Sequence, residues 1–253
     1  MAWVGRAPVG LAEVERREAE LRDGPIAAVL PRAGTSEGRQ LRRWLVQVLV
    51  TERVVREEAA ARMLYAERPP ALAALAPDSA ALLGLGSVAA DVLTRYPLAR
   101  KVFAAITADV AVSEEDVARY WAANPEAFRE PERRVVRHAL GDVPLDSRPA
   151  RVVRRGELSG ALGEAVFAAA PGETVGPLSD AIGRHTVLVL EVRPARVRGL
   201  DEAGAEIGRR LLLGARRRAF TAWLDRRLAD RVTLVEGFEH PGDPRQPDNT
   251  HRH

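Results

Sequence analysis

Histidines are the side chains in this sequence with the widest range of possible chemistry, because cysteine is absent. Without cysteine the chain cannot form disulfides, thiolate metal sites, Fe–S clusters or a thiol nucleophile. His138 and His185 lie in or beside valine-rich stretches, whereas His240, His251 and His253 lie near the C-terminal end. Two histidines without a third ligand make a poor metal site, so we expect no metal and no cofactor. We interpret the last three histidines as solvated side chains.

Motifs of the common enzyme classes are missing. The sequence contains no GxSxG, no GxGxxG after a strand, no P-loop and no HExxH. The run Gly84-Leu85-Gly86 is too short for a phosphate-binding loop. Hydrolase, nucleotide-binding and zinc-protease chemistry are therefore not indicated.

The basic residues do not indicate nucleic-acid binding. Lys101 is the only lysine among 38 basic residues, and the formal net charge is only +3. Arginines alternate with acids, as in Glu13–Arg22 and Glu52–Arg62, and no compact basic block occurs. Residues 1–12 lack the apolar core of a signal peptide, and the apolar tract Ser79–Ala90 is too short to span a bilayer. We expect a cytoplasmic protein without membrane or nucleic-acid partners.

Helical patterns dominate the first half of the sequence. Apolar residues recur at helical spacing over about 36–66, and Ser113-Glu-Glu-Asp116 matches a capping box that begins another helix. Pro69-Pro70 ends the long helix. The other expected elements are a short strand with a turn at Gly5 (Trp3–Val9), a helix (Leu11–Leu21), a buried helix with a glycine loop (71–92) and a helix near Ala90–Ile106.

The pattern changes near Pro131. Valine-rich stretches predict strands at Arg133–Leu140, Ala150–Arg154 and Thr186–Val192. Between them we expect a helix at Leu158–Ala169 and an extended segment at Val175–Leu178. A helix over about Leu200–Ala229 and a strand at Val232–Val235 follow, and that strand can pair with Trp3–Val9. Residues 237–253 contain three prolines and few apolar residues, which predicts a disordered tail.

Five short motifs within Arg155–Glu191 occur in the order found in parvulins, a family of small peptidyl-prolyl isomerases. They are Arg155-Gly156-Glu157-Leu158, Glu164-Ala165-Val166-Phe167, Pro171-Gly172-Glu173, Gly176-Pro177 and Gly183-Arg184-His185. Arg137-His138-Ala139-Leu140 also resembles the first parvulin strand. The resemblance covers about 60 residues of the chain.

The flanking regions are similar to chaperones of the SurA and PrsA type, which surround a parvulin domain with helices. The entry segment 113–138 and the pattern Phe220-Thr-Ala-Trp223-Leu224 carry this looser resemblance, which extends over 1–236. NifM-type maturation factors show that the architecture also occurs in the cytoplasm. The implied fold class is α+β, a helical SurA-like module with an inserted, truncated parvulin-like domain. Its expected parts are a helical module (1–130), the parvulin-like domain (131–196), a returning helix and strand (197–236) and the tail (237–253).

The parvulin resemblance also implies a site. Prolyl isomerisation breaks no covalent bond, and its barrier of about 18–20 kcal/mol reflects lost amide resonance. Parvulins place two histidines back to back at the sheet centre beside an Asp or Cys, under an apolar cup. By motif, His138 and His185 are the catalytic pair, and Leu158, Leu162 and Phe167 form the substrate-binding cup. The alternatives for the histidines are a structural pair bonded across neighbouring strands or a use in binding another ligand, and the alternative for the three apolar residues is plain core.

Two departures from the parvulin pattern bear on activity. Only sixteen residues (139–154) separate His138 from Arg155, too few for the helices that parvulins carry there. No residue matches the Asp or Cys beside the histidines, and neither Asp142 nor Asp146 can be aligned with it. Leu162 also replaces an aromatic residue common in parvulins, which predicts a shallower pocket.

These features predict a peptidyl-prolyl isomerase-like folding or maturation factor, with weak or lost catalysis. It would hold a client polypeptide in the cleft between its modules. The alternative is a non-catalytic pseudo-parvulin scaffold, or a repurposed enzyme, in a biosynthetic assembly that acts on a small or carrier-bound substrate. The expected partner is accordingly a client protein or a partner enzyme. The sequence does not specify an oligomeric state.

Overall fold

The fold is α+β, as the sequence predicted. A computed structural model describes residues Ala2–Phe238, so most of the predicted tail, 237–253, lies outside the described residues. Contacts between Cα atoms divide the described chain into two units. Unit 1 contains the residues up to Val112 and those from Arg209 onward, and unit 2 contains Ser113–Gly208. The predicted parvulin-like segment, 131–196, lies inside unit 2, and its boundaries as a separate domain stay a prediction.

Helix α2 (Ser36–Ala61) runs through the core of unit 1. The side chain of Thr35 caps it by accepting a hydrogen bond from the backbone N–H of Gly38. The apolar residues of α2 recur at helical spacing, and Leu45, Val48 and Val55 are fully buried. The helices around it are α1 (Leu11–Arg22), α3 (Ser79–Leu83), α4 (Ser87–Arg95) and α5 (Pro97–Ile106).

Helix α2 ends at Ala61, five residues before the predicted end. Met63 adopts a left-handed conformation (φ 52°). The N–H of Leu64 then bonds the carbonyl of Ala59, and the N–H of Met63 bonds that of Ala60, which is the Schellman arrangement. Glycine usually occupies this left-handed position, so the sequence contained no visible stop signal before Pro69.

The region 71–106 folds into shorter pieces than predicted. In place of one buried helix over 71–92, a 3₁₀ turn (Leu72–Ala74) precedes α3 and α4. The predicted helix near Ala90–Ile106 is divided between α4 and α5. Pro97 is the first residue of α5, where its missing N–H costs no hydrogen bond.

A three-stranded antiparallel sheet joins the beginning of the described chain to its end. The predicted strand Trp3–Val9 is a hairpin of β1 (Ala2–Val4) and β2 (Ala7–Val9), because Gly5 (φ 55°) reverses the chain. Strand β9 (Val232–Leu234) pairs with β1 in the register Ala2↔Leu234. The predicted pairing between the two ends of the chain is confirmed.

Unit 2 begins with α6 (Glu114–Ala123) and the predicted capping box. The Ser113 hydroxyl accepts from the N–H of Asp116, whose carboxylate accepts from the N–H of Ser113. A two-stranded ribbon of β3 (Arg129–Glu130) and β8 (Arg196–Val197) follows. The main sheet contains β4 (Arg133–Leu140), β5 (Arg151–Arg154), β6 (Thr174–Ser179) and β7 (Arg184–Arg193).

This main sheet is antiparallel, with the strand order β5-β4-β7-β6. Helix α7 (Gly160–Ala168) packs on one face, where Val136, Val187 and Val189 are completely buried. Strand β7 has a bulge at Leu190, because Val135 pairs with Glu191 while Val136 pairs with Val189. Because β4 and β7 are the two central strands, the side chains that they carry on this face lie beside the buried core of unit 2.

Helix α8 (Leu200–Arg231) follows β8 and completes the described helices. It exceeds the predicted helix, Leu200–Ala229, by two residues. Within Ala2–Phe238, no helix has the length and apolar character that crossing a membrane requires.

Candidate functional site

His138 and His185 lie on the two central strands of the main sheet. His138 on β4 is directly opposite Val187, and His185 on β7 is directly opposite Leu140. Opposite residues of an antiparallel pair point to the same face, so both histidines share the face that carries Val187. The histidines are thus diagonal neighbours, 47 residues apart in sequence, beside the core of unit 2.

The two imidazoles are bonded to each other. His138 Nε2 lies 2.8 Å from His185 Nδ1, and the ring centroids are 5.1 Å apart. His185 is only 5% exposed, whereas His138 is half-buried. The juxtaposition that the parvulin resemblance implied is therefore present.

Asp180 binds the other nitrogen of His185. Its Oδ1 lies 2.8 Å from His185 Nε2 and accepts from the backbone N–H groups of Ile182 and Gly183. The hydrogen bond with His185 is the largest influence lowering the pKa of Asp180, followed by the bond from the Ile182 amide. The turn between β6 and β7 thus presents a carboxylate that stays ionised.

Arg151 binds the other nitrogen of His138. Its Nη2 lies 2.9 Å from His138 Nδ1, and Arg151 itself is exposed on the edge strand β5. Burial is the first cause that lowers the pKa of His138, and the positive charge of Arg151 is the second. Arg151, His138, His185 and Asp180 form a hydrogen-bonded relay across the sheet, hereafter the histidine relay.

The histidine relay restricts the chemistry of this site. Each of the four ring nitrogens has a hydrogen-bond partner, so neither histidine can bind a metal or accept a substrate proton without breaking a bond. Among residues 2–238, no group of three or more His, Cys, Asp or Glu side chains is arranged to hold a metal ion. The arrangement suits a site that positions dipoles and charges around a bound group.

The three predicted cup residues belong to the core of unit 2. Leu162 and Phe167 are 8% and 5% exposed, and Leu158 is partly buried against the same cluster. The guanidinium carbons of Arg134 and Arg155 lie 5.2 and 4.8 Å from the centre of the Phe167 ring. Both arginines pair with Glu132. The contact of these three residues with a substrate stays a prediction.

Neither acid that the sequence left unaligned reaches the histidines. Asp146 accepts from Arg137 at 3.2 Å, and Asp142 is paired with Arg184. The acid beside the pair is Asp180, which follows β6, whereas the parvulin pattern led us to expect it between His138 and Arg155.

Asp180 and Arg151 were missed by the sequence reasoning, although each had a partial signal. Asp180 lies three residues before Gly183, and an aspartate in such a turn often accepts from the backbone two residues on. That pattern indicates a turn, but not a histidine partner. Arg151 lies in a predicted strand, and its contact with His138 depends on strand register, which the sequence alone does not specify.

Comparisons with known proteins found similarity to one family model and to several solved structures. A model of a family of unknown function (DUF7158) matches residues 1–37. No curated protein matches the sequence.

Several solved structures are similar to this chain at low sequence identity. Two structures reported for SurA-like chaperones of Campylobacter jejuni are 14% and 10% identical, with TM-scores of 0.45 and 0.43. Each comparison covers 92% of this chain and 98% of the other. The foldase PrsA of Lactococcus lactis is 10% identical, with a TM-score of 0.32, over 93% of this chain and 94% of the other.

Proposed function

We propose that this protein is a parvulin-like folding or maturation factor that binds a client polypeptide and has little or no isomerase activity. The observation that carries this proposal is the histidine pair, bonded at 2.8 Å between the two central strands of the main sheet. This pairing is the feature that the sequence motifs associate with parvulins. The motif order within Arg155–Glu191 supports the same interpretation.

The saturated relay is compatible with prolyl isomerisation, because that reaction transfers no proton and forms no covalent bond. A catalyst must instead lower a rotational barrier of about 18–20 kcal/mol by favouring the twisted amide. Fixed dipoles near the amide can contribute to this without any free ring nitrogen. The relay is therefore compatible with catalysis, although in the observed arrangement neither histidine has a ring nitrogen without a hydrogen-bond partner to act as a general base.

The environment of Phe167 favours binding with little catalysis. Its ring is buried and covered by the guanidinium groups of Arg134 and Arg155, so it offers little surface for a proline ring. The shortened connection between His138 and Arg155 acts in the same direction. These observations favour the pseudo-parvulin scaffold as the second candidate function, whereas no contact within Ala2–Phe238 specifically favours an enzyme for small or carrier-bound substrates.

Two assays separate these functions. The first measures cis–trans exchange of Xaa-Pro peptides by NMR with the full chain, His138→Gln and the neighbouring surface variant Val152→Ala. The second measures suppression of aggregation of an unfolded model protein. We expect suppressed aggregation with exchange at or near the uncatalysed rate. Efficient exchange that His138→Gln abolishes and Val152→Ala preserves would overturn the weak-catalysis part of the proposal. If the protein neither suppresses aggregation nor accelerates exchange, the folding-factor proposal itself is overturned.

Affinity purification tests the partner. Many substoichiometric polypeptides are expected for a general folding factor, and one stoichiometric partner is expected for a scaffold. A cytoplasmic location stays a prediction from the sequence, and cell fractionation tests it.

A further inference from the structure

The histidine relay has a cation at one end and an anion at the other. Arg151 can only donate hydrogen bonds, and an ionised Asp180 can only accept them. His138 and His185 lie between these ends, joined by the contact of 2.8 Å between Nε2 and Nδ1. The charges at the ends therefore restrict where protons can lie on both rings.

Only one arrangement of neutral rings satisfies all three contacts. Asp180 requires a proton on His185 Nε2, which leaves His185 Nδ1 as an acceptor. His138 must then donate from Nε2, which leaves His138 Nδ1 to accept from Arg151. Moving the proton of either ring places two donors or two acceptors opposite each other.

We propose that Arg151 and Asp180 are positioning residues that hold His138 and His185 as a neutral pair, with the proton of each ring on Nε2. The parvulin pattern would place an Asp or Cys beside the pair. Here the group that contacts His138 is a guanidinium, so the charge at that end of the site is positive. This inference concerns the same site as the proposed function and rests on it in that respect alone.

The charged groups around the pair are consistent with a neutral state. Arg151 approaches His138 from β5, and Arg148, from the segment before β5, adds positive charge that opposes a further proton. Asp180, from the turn before β7, favours protonation of His138, but its effect on the pKa is smaller than the opposing effects of Arg151 and Arg148. Alternation along β4 and β7 directs Arg137 and Arg184 to the opposite face, where Asp146 and Asp142 pair with them.

Long-range ¹H–¹⁵N NMR of the full chain tests this inference, because it reports which ring nitrogen carries the proton. In the wild-type protein at pH 7.5, we expect His138 and His185 both to be neutral and protonated on Nε2. Finding the His138 proton on Nδ1, or a doubly protonated ring, would overturn the proposal.

Matched variants test the two ends. Arg151→Met removes the donor from an exposed position. Because Asp180 still fixes His185 and His185 still accepts from His138 Nε2, we expect the tautomer to be kept and His138 to titrate at higher pH. Arg148→Met removes a nearby positive charge that has no hydrogen bond to His138, so it should change the titration of His138 less. An unchanged titration of His138 in Arg151→Met, or an equal shift in Arg148→Met, would contradict a positioning role for Arg151.

Asp180→Ala with Ser179→Ala as its control tests the other end. With Arg151 in place, Asp180→Ala should keep the wild-type tautomer of each ring, because His138 still donates from Nε2 to His185. In the background of Arg151→Met neither end is then fixed, so adding Asp180→Ala should let both rings populate both tautomers, while adding Ser179→Ala should not. Unchanged tautomers in the Arg151→Met/Asp180→Ala double variant would show that these two residues do not position the rings. These spectra are independent of isomerase activity, so this inference and the proposed function can fail separately.

Discussion

The side chain of Arg134 donates a hydrogen bond to the carbonyl oxygen of Phe167, at 2.6 Å. Arg134 is 4% exposed, and its guanidinium also pairs with Glu132 at 2.6 Å and lies over the Phe167 ring. A single buried arginine therefore joins β4 to the end of α7. This contact holds Phe167 against the sheet of unit 2.

Replacing Arg134 by Met should destabilise unit 2 by about 1–3 kcal/mol, because the buried Phe167 carbonyl loses its donor. Urea denaturation followed by circular dichroism measures the change. Arg133→Met is the control, since Arg133 is more exposed and its ion pair with Glu130 is 3.7 Å long. Its expected effect is within about 0.5 kcal/mol. Equal effects of the two substitutions would contradict a special role for Arg134.

Acidification should destabilise the protein through His138. Its pKa is lowered in the folded state from the ordinary value near 6.5, first by burial and then by Arg151. Below that ordinary value the unfolded chain binds more protons, so this contribution is complete above it and declines as pH falls towards the folded pKa. Urea titrations between pH 7.5 and 5 should therefore show a falling free energy of unfolding.

His138→Gln is the matched control for this pH dependence, because glutamine can donate to His185 but does not titrate. The decline of stability between pH 7.5 and 5 should be smaller in this variant. If wild type and variant lose stability in parallel, other groups dominate and the role assigned to His138 is wrong.

Met63→Gly should stabilise unit 1 by about 1 kcal/mol. Met63 follows the C-cap of α2 in a left-handed conformation (φ 52°), which is costly for residues with a Cβ atom but not for glycine. Its side chain is 77% exposed, so little packing is lost. Met63→Ala keeps the unfavourable conformation and should be nearly neutral in thermal unfolding. If the glycine variant is no more stable than the alanine variant, the left-handed conformation at Met63 carries no such cost.

Ser113→Ala should cost about 1 kcal/mol, because it removes the hydroxyl that caps α6. Ser159 occupies the equivalent position before α7 but its side chain makes no capping hydrogen bond. Ser159→Ala should therefore have little effect in the same denaturation experiment. The reverse order of these two effects would be inconsistent with the capping contacts.

Gly176→Ala should disrupt the edge of the main sheet beside the histidine relay. A Cβ atom on Gly176 would overlap the carbonyl oxygen of His185, and φ is +110°. Gly172 also has positive φ (+85°) but has open space around it. Gly172→Ala therefore measures the conformational cost alone, and Gly176→Ala should cost more by urea denaturation. Similar costs would show that His185 tolerates the added methyl group.

Local patterns predicted much of the fold but not its interruptions. The capping box at Ser113 and the strand Arg133–Leu140 follow from signals within a few residues, and both are present. The strand patterns near the two ends of the described chain also predicted two strands that can pair, and they do. The end of α2 was misplaced because Met63 adopts a conformation that its residue type does not favour. The division at Pro97 was missed because proline is acceptable in the first turn of a helix.

The candidate site was predictable only in part, for a physical reason. The motifs singled out His138 and His185, and the structure brings their rings together. Asp180 and Arg151 complete the relay through register and turn geometry, which depend on pairings between distant residues. Asp142 and Asp146, closer in sequence to His138, are instead bound by Arg184 and Arg137.

The pairing of β1 with β9 has a consequence for the order of folding during synthesis. Ala2 cannot meet Leu234 until nearly the whole described chain has been translated, whereas unit 2 is contiguous from Ser113 to Gly208. Closing so long a loop carries an entropic cost, and contacts between distant residues form slowly. Unit 2 can therefore complete its sheet on the ribosome while β1 still lacks its partner, and β9 completes the sheet of unit 1 later.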